Sequence, residues 1–115
     1  MPSSESKVRK IITLLQEKKG EDILALNLKR LSPITDYFVI STANSSIHAR
    51  SLADWIYENL KRDGDLPHHI EGYGAGQWIL LDYIDCVIHI FLKEVREFYG
   101  LERLWGDAEE YKKEE

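Results

Sequence analysis

The chain has 115 residues, 43% hydrophobic and 30% charged, with a formal net charge of -5 at pH 7. That length suits one domain able to bury roughly two thirds of the surface its unfolded form exposes, so stability requires neither a disulfide nor a structural metal. The acidic balance disfavours a general nucleic-acid binder, whose phosphate contacts need a basic face that this composition supplies only locally, and fits a basic protein partner better.

The start, Met1-Pro2-Ser3-Ser4-Glu5-Ser6, has no apolar core of signal-peptide length and no Arg-rich amphipathic run, and nowhere do ~18 apolar residues occur together. A soluble, cytoplasmic protein without a membrane partner is expected. Ser3 or Ser4 can cap a first helix in which Val8, Ile11, Ile12 and Leu15 form one stripe, with Gly20 as the stop. Lys7, Arg9 and Lys10 on it, like Lys61 and Arg62 later, are expected to lie on solvated faces. Residues 23–28 put Leu24, Leu26 and Leu28 on one side of a strand, and a short link containing Pro33 leads to a second strand from Tyr37, which favours antiparallel pairing. Asn44, Ser45 and Ser46 can cap a second helix with Ala49, Leu52, Ala53, Ile56 and Leu60 on one arc, ended by Asp63-Gly64.

Residues 69–73 form a short strand candidate whose approach from the second helix fits a βαβ unit, and Gly74-Ala75-Gly76 is a loop. Trp78 to Asp82 and Cys86 to Leu92 are apolar on both faces, so a central hairpin covered on two sides is expected. Helical structure is predicted from Glu94 to Leu104, broken near Gly100. Residues 107–115 are charged and expected to be a frayed tail or a short solvated helix. The fold class is α/β: one domain over 1–115, with a mixed, roughly five-stranded sheet and helices on both faces.

The residues with chemical potential mostly have structural explanations. Gly72-x-Gly74-x-Gly76 matches no phosphate-loop spacing, and a strand follows it where a helix would be needed. His48, His68, His69 and His89 lack paired metal-ligand spacing, and one cysteine cannot build a thiolate zinc site. His89 alternates with Val87 and Phe91 and reads as a neutral, hydrogen-bonded strand histidine. Asp82 and Asp85 form the best acid pair for Mg²⁺, but their odd separation spans a turn, where Asp satisfies local backbone donors. Cys86 packs as a small hydrophobe. No nucleophile, base and orienting group assemble, so no catalytic residue, metal or cofactor is expected. Around Gly100, by contrast, aromatic, Leu and Arg residues of the interface-anchor type cluster near the chain end.

Asp36-Tyr37-Phe38-Val39-Ile40, Ser45-Ser46-x-His48, Leu52-Ala53-Asp54, Glu71-Gly72, Trp78-Ile79-Leu80-Leu81-Asp82, Asp85-x-Val87-Ile88-His89-Ile90-Phe91 and Arg96-x-x-Tyr99-x-Leu101-Glu102-x-Leu104-Trp105 resemble the ribosomal silencing factor, or Iojap-like, family. The resemblance spans nearly the whole chain. It implies a fold similar to nucleotidyltransferases without their catalytic set, and a binder in place of an enzyme. It further implies docking on large-subunit ribosomal protein fourteen, a steric block to joining of the two ribosomal subunits, and repression of translation when nutrients are scarce. A large-subunit assembly role is the alternative, and a Mg-dependent nucleotidyltransferase-like enzyme a more distant one. Carried over by position, the ribosomal contacts are Trp78, Tyr83, Arg96, Tyr99, Leu101, Glu102, Leu104 and Trp105, with Glu102 facing a basic group of the partner. Tyr83-Ile84 departs from the smaller or Gly-containing pairs common at this turn, as does the charged extension after Trp105. An exposed aromatic patch can also pair two free copies as a homodimer.

Overall fold

In the computed structural model, which describes residues 3–111, the Ser3 hydroxyl accepts the Ser6 amide N–H at 3.1 Å and opens α1 (Ser4–Glu17). Its apolar stripe of Val8, Ile11, Ile12 and Leu15, with Leu14, is buried. β1 (Glu21–Asn27) and β2 (Tyr37–Ala43) pair antiparallel, as the short link predicts. Ser45 caps α2 (Ser46–Arg62) by accepting the His48 N–H at 3.0 Å, and the expected arc from Ala49 to Leu60 is its buried face. There follow β3 (His69–Glu71), β4 (Trp78–Asp82) and β5 (Cys86–Leu92), then α3 (Lys93–Tyr99), α4 (Leu101–Leu104) and β6 (Glu109–Tyr111).

The described strands form one mixed sheet in the order β3-β4-β5-β2-β1-β6. Only the β2–β5 ladder is parallel, running from Tyr37 opposite Cys86 to Ala43 opposite Leu92. β3 runs in the same direction as β2, as the βαβ expectation requires. The chain, however, crosses past two strand positions, and β4 and β5 then fill the gap as an antiparallel hairpin. The sheet has six strands where roughly five were expected. The extra one lies in the expected tail: Tyr111 pairs opposite Ala25, its ring meets Tyr37 edge-on at 5.9 Å, and its hydroxyl accepts from Arg9 Nε at 3.3 Å. An aromatic residue with three such contacts anchors a stretch whose charges alone suggest fraying. Residues 112–115 of that tail lie outside the described residues.

Alternation divides the core into two layers. Val39, Ile79, Leu81, Cys86, Ile88 and Ile90 face α1 and α2. Leu26, Leu28, Ile40 and Phe91 face the other way, toward Val95, Leu101 and Trp105 of the C-terminal helical segment. Helices thus lie on both faces, as expected, but unequally: α1 and α2 seal theirs, whereas Leu80 and Val87 on the second face stay half-buried.

Two local devices close the hairpin side. Lys7, expected on a solvated face, is instead a clasp: its ammonium, with the side chain only 10% exposed, meets Asp65 at 2.8 Å and Asp85 at 2.7 Å. Burial alone would lower its pKa, but the hydrogen bonds and charges of the two carboxylates outweigh burial and raise it. Gly72 bends the chain from β3 toward β4 at a φ of +78°, and a Cβ there would lie 2.0 Å from the Trp78 carbonyl oxygen. Only glycine fits both the conformation and the approach.

Gly72→Ala should therefore destabilise the protein by about 2 kcal/mol or more, whereas Gly74→Ala, with nothing within 4 Å of the new methyl group, should change stability by less than about 0.5 kcal/mol. Urea unfolding of the two variants beside wild type checks this; equal midpoints would contradict it.

Candidate functional site

β5 runs into α3 without a loop, so the helix is launched directly from a central strand. Gly100 ends α3 in the left-handed region at φ +56°, its N–H bonding to the Arg96 carbonyl at 2.9 Å, and α4 starts at once in a new direction. The resulting elbow lies on the less covered sheet face. Val95, Leu101, Trp105 and Ala108 pack inward, with Trp105 edge-on to Phe38 at 5.8 Å. Neither short helix has a fully buried residue. Its outward side carries Phe98, 79% exposed, Tyr99, 54%, and Leu104, 75%. Large apolar groups gathered on one short elbow are the kind of surface that marks an interaction site.

An aromatic series links that surface to the core. Phe91 is fully buried, Trp78 lies 4.7 Å from it, Tyr99 4.9 Å from Trp78, and Phe98 5.1 Å from Tyr99. Tilted and edge-on arrangements at these separations favour a defined geometry over a mobile one.

The charged members of the expected contact set point elsewhere. Arg96 Nε donates to Glu102 at 3.0 Å, while its Nη1 donates to the Asp22 carbonyl at 2.7 Å and to Thr42 Oγ1 at 2.8 Å. One guanidinium therefore ties α3 to α4 and both to the start of the β1–β2 ribbon. Glu102, expected to meet a basic group of a partner, already has one within the chain. Both residues brace the elbow.

Tyr83 requires a correction. Asp82 accepts the Ile84 N–H at 2.8 Å and Tyr83 N–H bonds to the Cys86 carbonyl at 2.9 Å, which closes a tight turn. That turn folds the Tyr83 ring inward, 4% exposed, into the α1–α2 layer beneath Lys7, and turns Ile84 out. Tyr83 lies in the opposite layer from Trp78 and joins no surface with the elbow. Burial raises its hydroxyl pKa well above the usual tyrosine value. Phe98, absent from the expected set, is instead the most exposed aromatic of the elbow; its signal was the adjacent Phe98-Tyr99 pair on a helix too short to bury both.

The remaining candidates for chemistry are used structurally. Asp82 serves the turn and Asp85 the Lys7 clasp. Cys86 is buried, which raises its thiol pKa and removes it from nucleophilic work. Gly76 N–H bonds to the Gly72 carbonyl at 3.0 Å, and Arg50 straps Gly74 to α2 at 3.1 Å, so the Gly-rich segment is a fastened turn. Among the described residues no group of three or more His, Cys, Asp or Glu could hold a metal ion, and no helix is long and apolar enough to cross a membrane. His48 Nδ1 accepts from the Asn44 N–H at 3.0 Å. His89 is buried, with Nδ1 accepting the Trp78 indole N–H at 3.1 Å, which agrees with a neutral strand histidine.

Comparison with known proteins adds four findings. Residues 1–115 match the family described as ribosomal silencing factor during starvation. A ribosomal silencing factor of Halalkalibacterium halodurans is 35% identical over 106 residues, covering 92% of this chain and 91% of that protein. The mouse protein named for mitochondrial assembly of the ribosomal large subunit is 35% identical over 98 residues, covering 83% of this chain and 43% of that protein. A crystal structure of a Chromobacterium violaceum protein superposes with a TM-score of 0.89 at 29% identity, over 99% of this chain and 92% of that one.

Burial pushes the His89 pKa down to about 4 from an ordinary 6.5, with the Asp82 charge acting weakly the other way. Between those values the unfolded chain takes up a proton that the folded one refuses. The stability His89 contributes is thus fully present above about pH 6.5 and is lost as pH falls toward 4, by up to about 1.4 kcal/mol per pH unit. Urea midpoints between pH 4 and 7 should fall more steeply for wild type than for His89→Phe; parallel curves would contradict a buried neutral imidazole.

Proposed function

The chain belongs to the ribosomal silencing factor family, and we propose that it is a non-catalytic cytoplasmic repressor that docks on the large ribosomal subunit through its α3–α4 elbow. The proposed receptor is large-subunit ribosomal protein fourteen. By occupying that site the domain sterically prevents the small subunit from joining, and so lowers translation under nutrient limitation. A steric block needs a rigid shape and a lasting contact, with no turnover.

The observation that carries this reading is the pairing of exposed Phe98, Tyr99 and Leu104 with an Arg96–Glu102 ion pair that is satisfied inside the chain. The elbow offers apolar area with the Arg96 guanidinium already engaged at its base, which suits a protein surface better than phosphate-rich RNA. Tyr99 and Leu104, with Phe98, are the direct contacts. Trp78 and Trp105 present partly covered edges, while Leu101, Arg96 and Glu102 hold the elbow in place. When no ribosome is at hand, the same apolar surface pairs two copies as a homodimer. The name of the mouse relative favours a second reading, in which the same contact serves large-subunit assembly.

Wild-type protein should co-sediment with isolated large subunits, and a folded Tyr99→Ala, Leu104→Ala double variant should bind at least about tenfold more weakly. Failure of the wild type to bind would sink the proposal. Immature large subunits accumulating on depletion, with subunit joining unaffected, would favour assembly over silencing.

A further inference from the structure

His89 sits where an imidazole has little to gain. It is 3% exposed, its ring lies edge-on to Phe38 at 4.6 Å and 6.1 Å from Phe91, and its Nε2 has no hydrogen-bond partner among the described residues. A leucine or phenylalanine would fill this apolar layer without burying an unpaired polar atom. The one polar contact His89 makes is with Trp78, whose indole N–H it accepts at Nδ1 at 3.1 Å. Because Nδ1 accepts, the neutral ring carries its proton on Nε2, and that nitrogen is the one left unpaired.

Trp78 begins β4 at the edge of the elbow, half-buried, between the Phe91 ring below and the Tyr99 ring above. An indole without a partner for its N–H could turn that atom toward solvent and carry the flat ring away from Tyr99. From this we infer that His89 is a positioning residue of the docking surface, fixing the rotation of Trp78 and, through Trp78, the exposed ring of Tyr99. The inference rests on the docking reading above. It assigns His89 no contact with the partner. The gain is preorganisation: a Trp78–Tyr99 pair already in its bound arrangement loses less side-chain freedom when the partner arrives.

The test joins a binding measurement on isolated large subunits to the indole ¹⁵N–¹H resonance of Trp78 in the free protein. His89→Leu should shift that resonance, speed its hydrogen exchange and weaken binding about tenfold, as expected for losing one orienting hydrogen bond. His89→Asn, which returns an acceptor near the Nδ1 position, should recover most of both. Trp78→Phe, which keeps a ring and deletes the N–H, should also weaken binding, and His89→Leu added to it should cost nothing more. Wild-type affinity in either a folded His89→Leu or a Trp78→Phe protein would overturn the inference, as would additive losses in the double variant. No binding by the wild type, with the resonance still shifted in His89→Leu, would overturn the docking reading and, with it, the role assigned to His89.

Discussion

The parallel ladder between β2 and β5 is the constraint on which the rest depends. It places β5 between β2 and β4, so every side chain of that strand must be covered from one side or the other. Cys86, Ile88 and Ile90 meet the two long helices, while Phe91 meets the elbow and His89, beside it, meets Phe38 and Trp78. Because α3 follows Leu92 with no intervening loop, the direction of β5 also decides where the elbow leaves the sheet. A one-residue slip in the ladder would exchange the two layers and turn the histidine toward α1 and α2.

The elbow is held by polar contacts and presents apolar ones. Arg96 binds an acid on α4 and two oxygens of the β1–β2 ribbon, so Arg96 and Glu102 are satisfied before any partner approaches. Aromatic rings then lead from the buried Phe91 outward to Phe98. Rigidity in this segment comes from hydrogen bonds that face inward, and its apolar surface from side chains that face outward. Residues that suggest catalysis in other settings are used as fasteners, with Asp82 in a turn, Asp85 on Lys7 and Cys86 in the helix-side core.

Much of this was legible in the residues. Val8 to Leu15 and Ala49 to Leu60 repeat at helical spacing, and Trp78 to Leu92 reads as a two-faced hairpin; these patterns depend on local periodicity, which burial then satisfies. The elbow's composition and its break at Gly100 were also visible. Less accessible were features whose cause lies far along the chain. Tyr111 becomes a strand residue because Arg9 and Tyr37 happen to stand beside it. Lys7 leaves the solvated face because Asp65 and Asp85 arrive from two separate turns. Tyr83 and Ile84 could each have been the outward residue, and the Asp82 turn decides between them.

By itself, then, the sequence determined the α/β class, the two amphipathic helices, the central hairpin and the cluster of anchor-type residues near Gly100, since each follows from spacing and residue chemistry within a short window. Only the tertiary structure decided which of those anchors face outward. Whether Arg96, Glu102, Tyr83 or His89 meets a partner or another part of the same chain depends on which distant atoms the sheet brings within hydrogen-bond reach, and no local pattern encodes that distance.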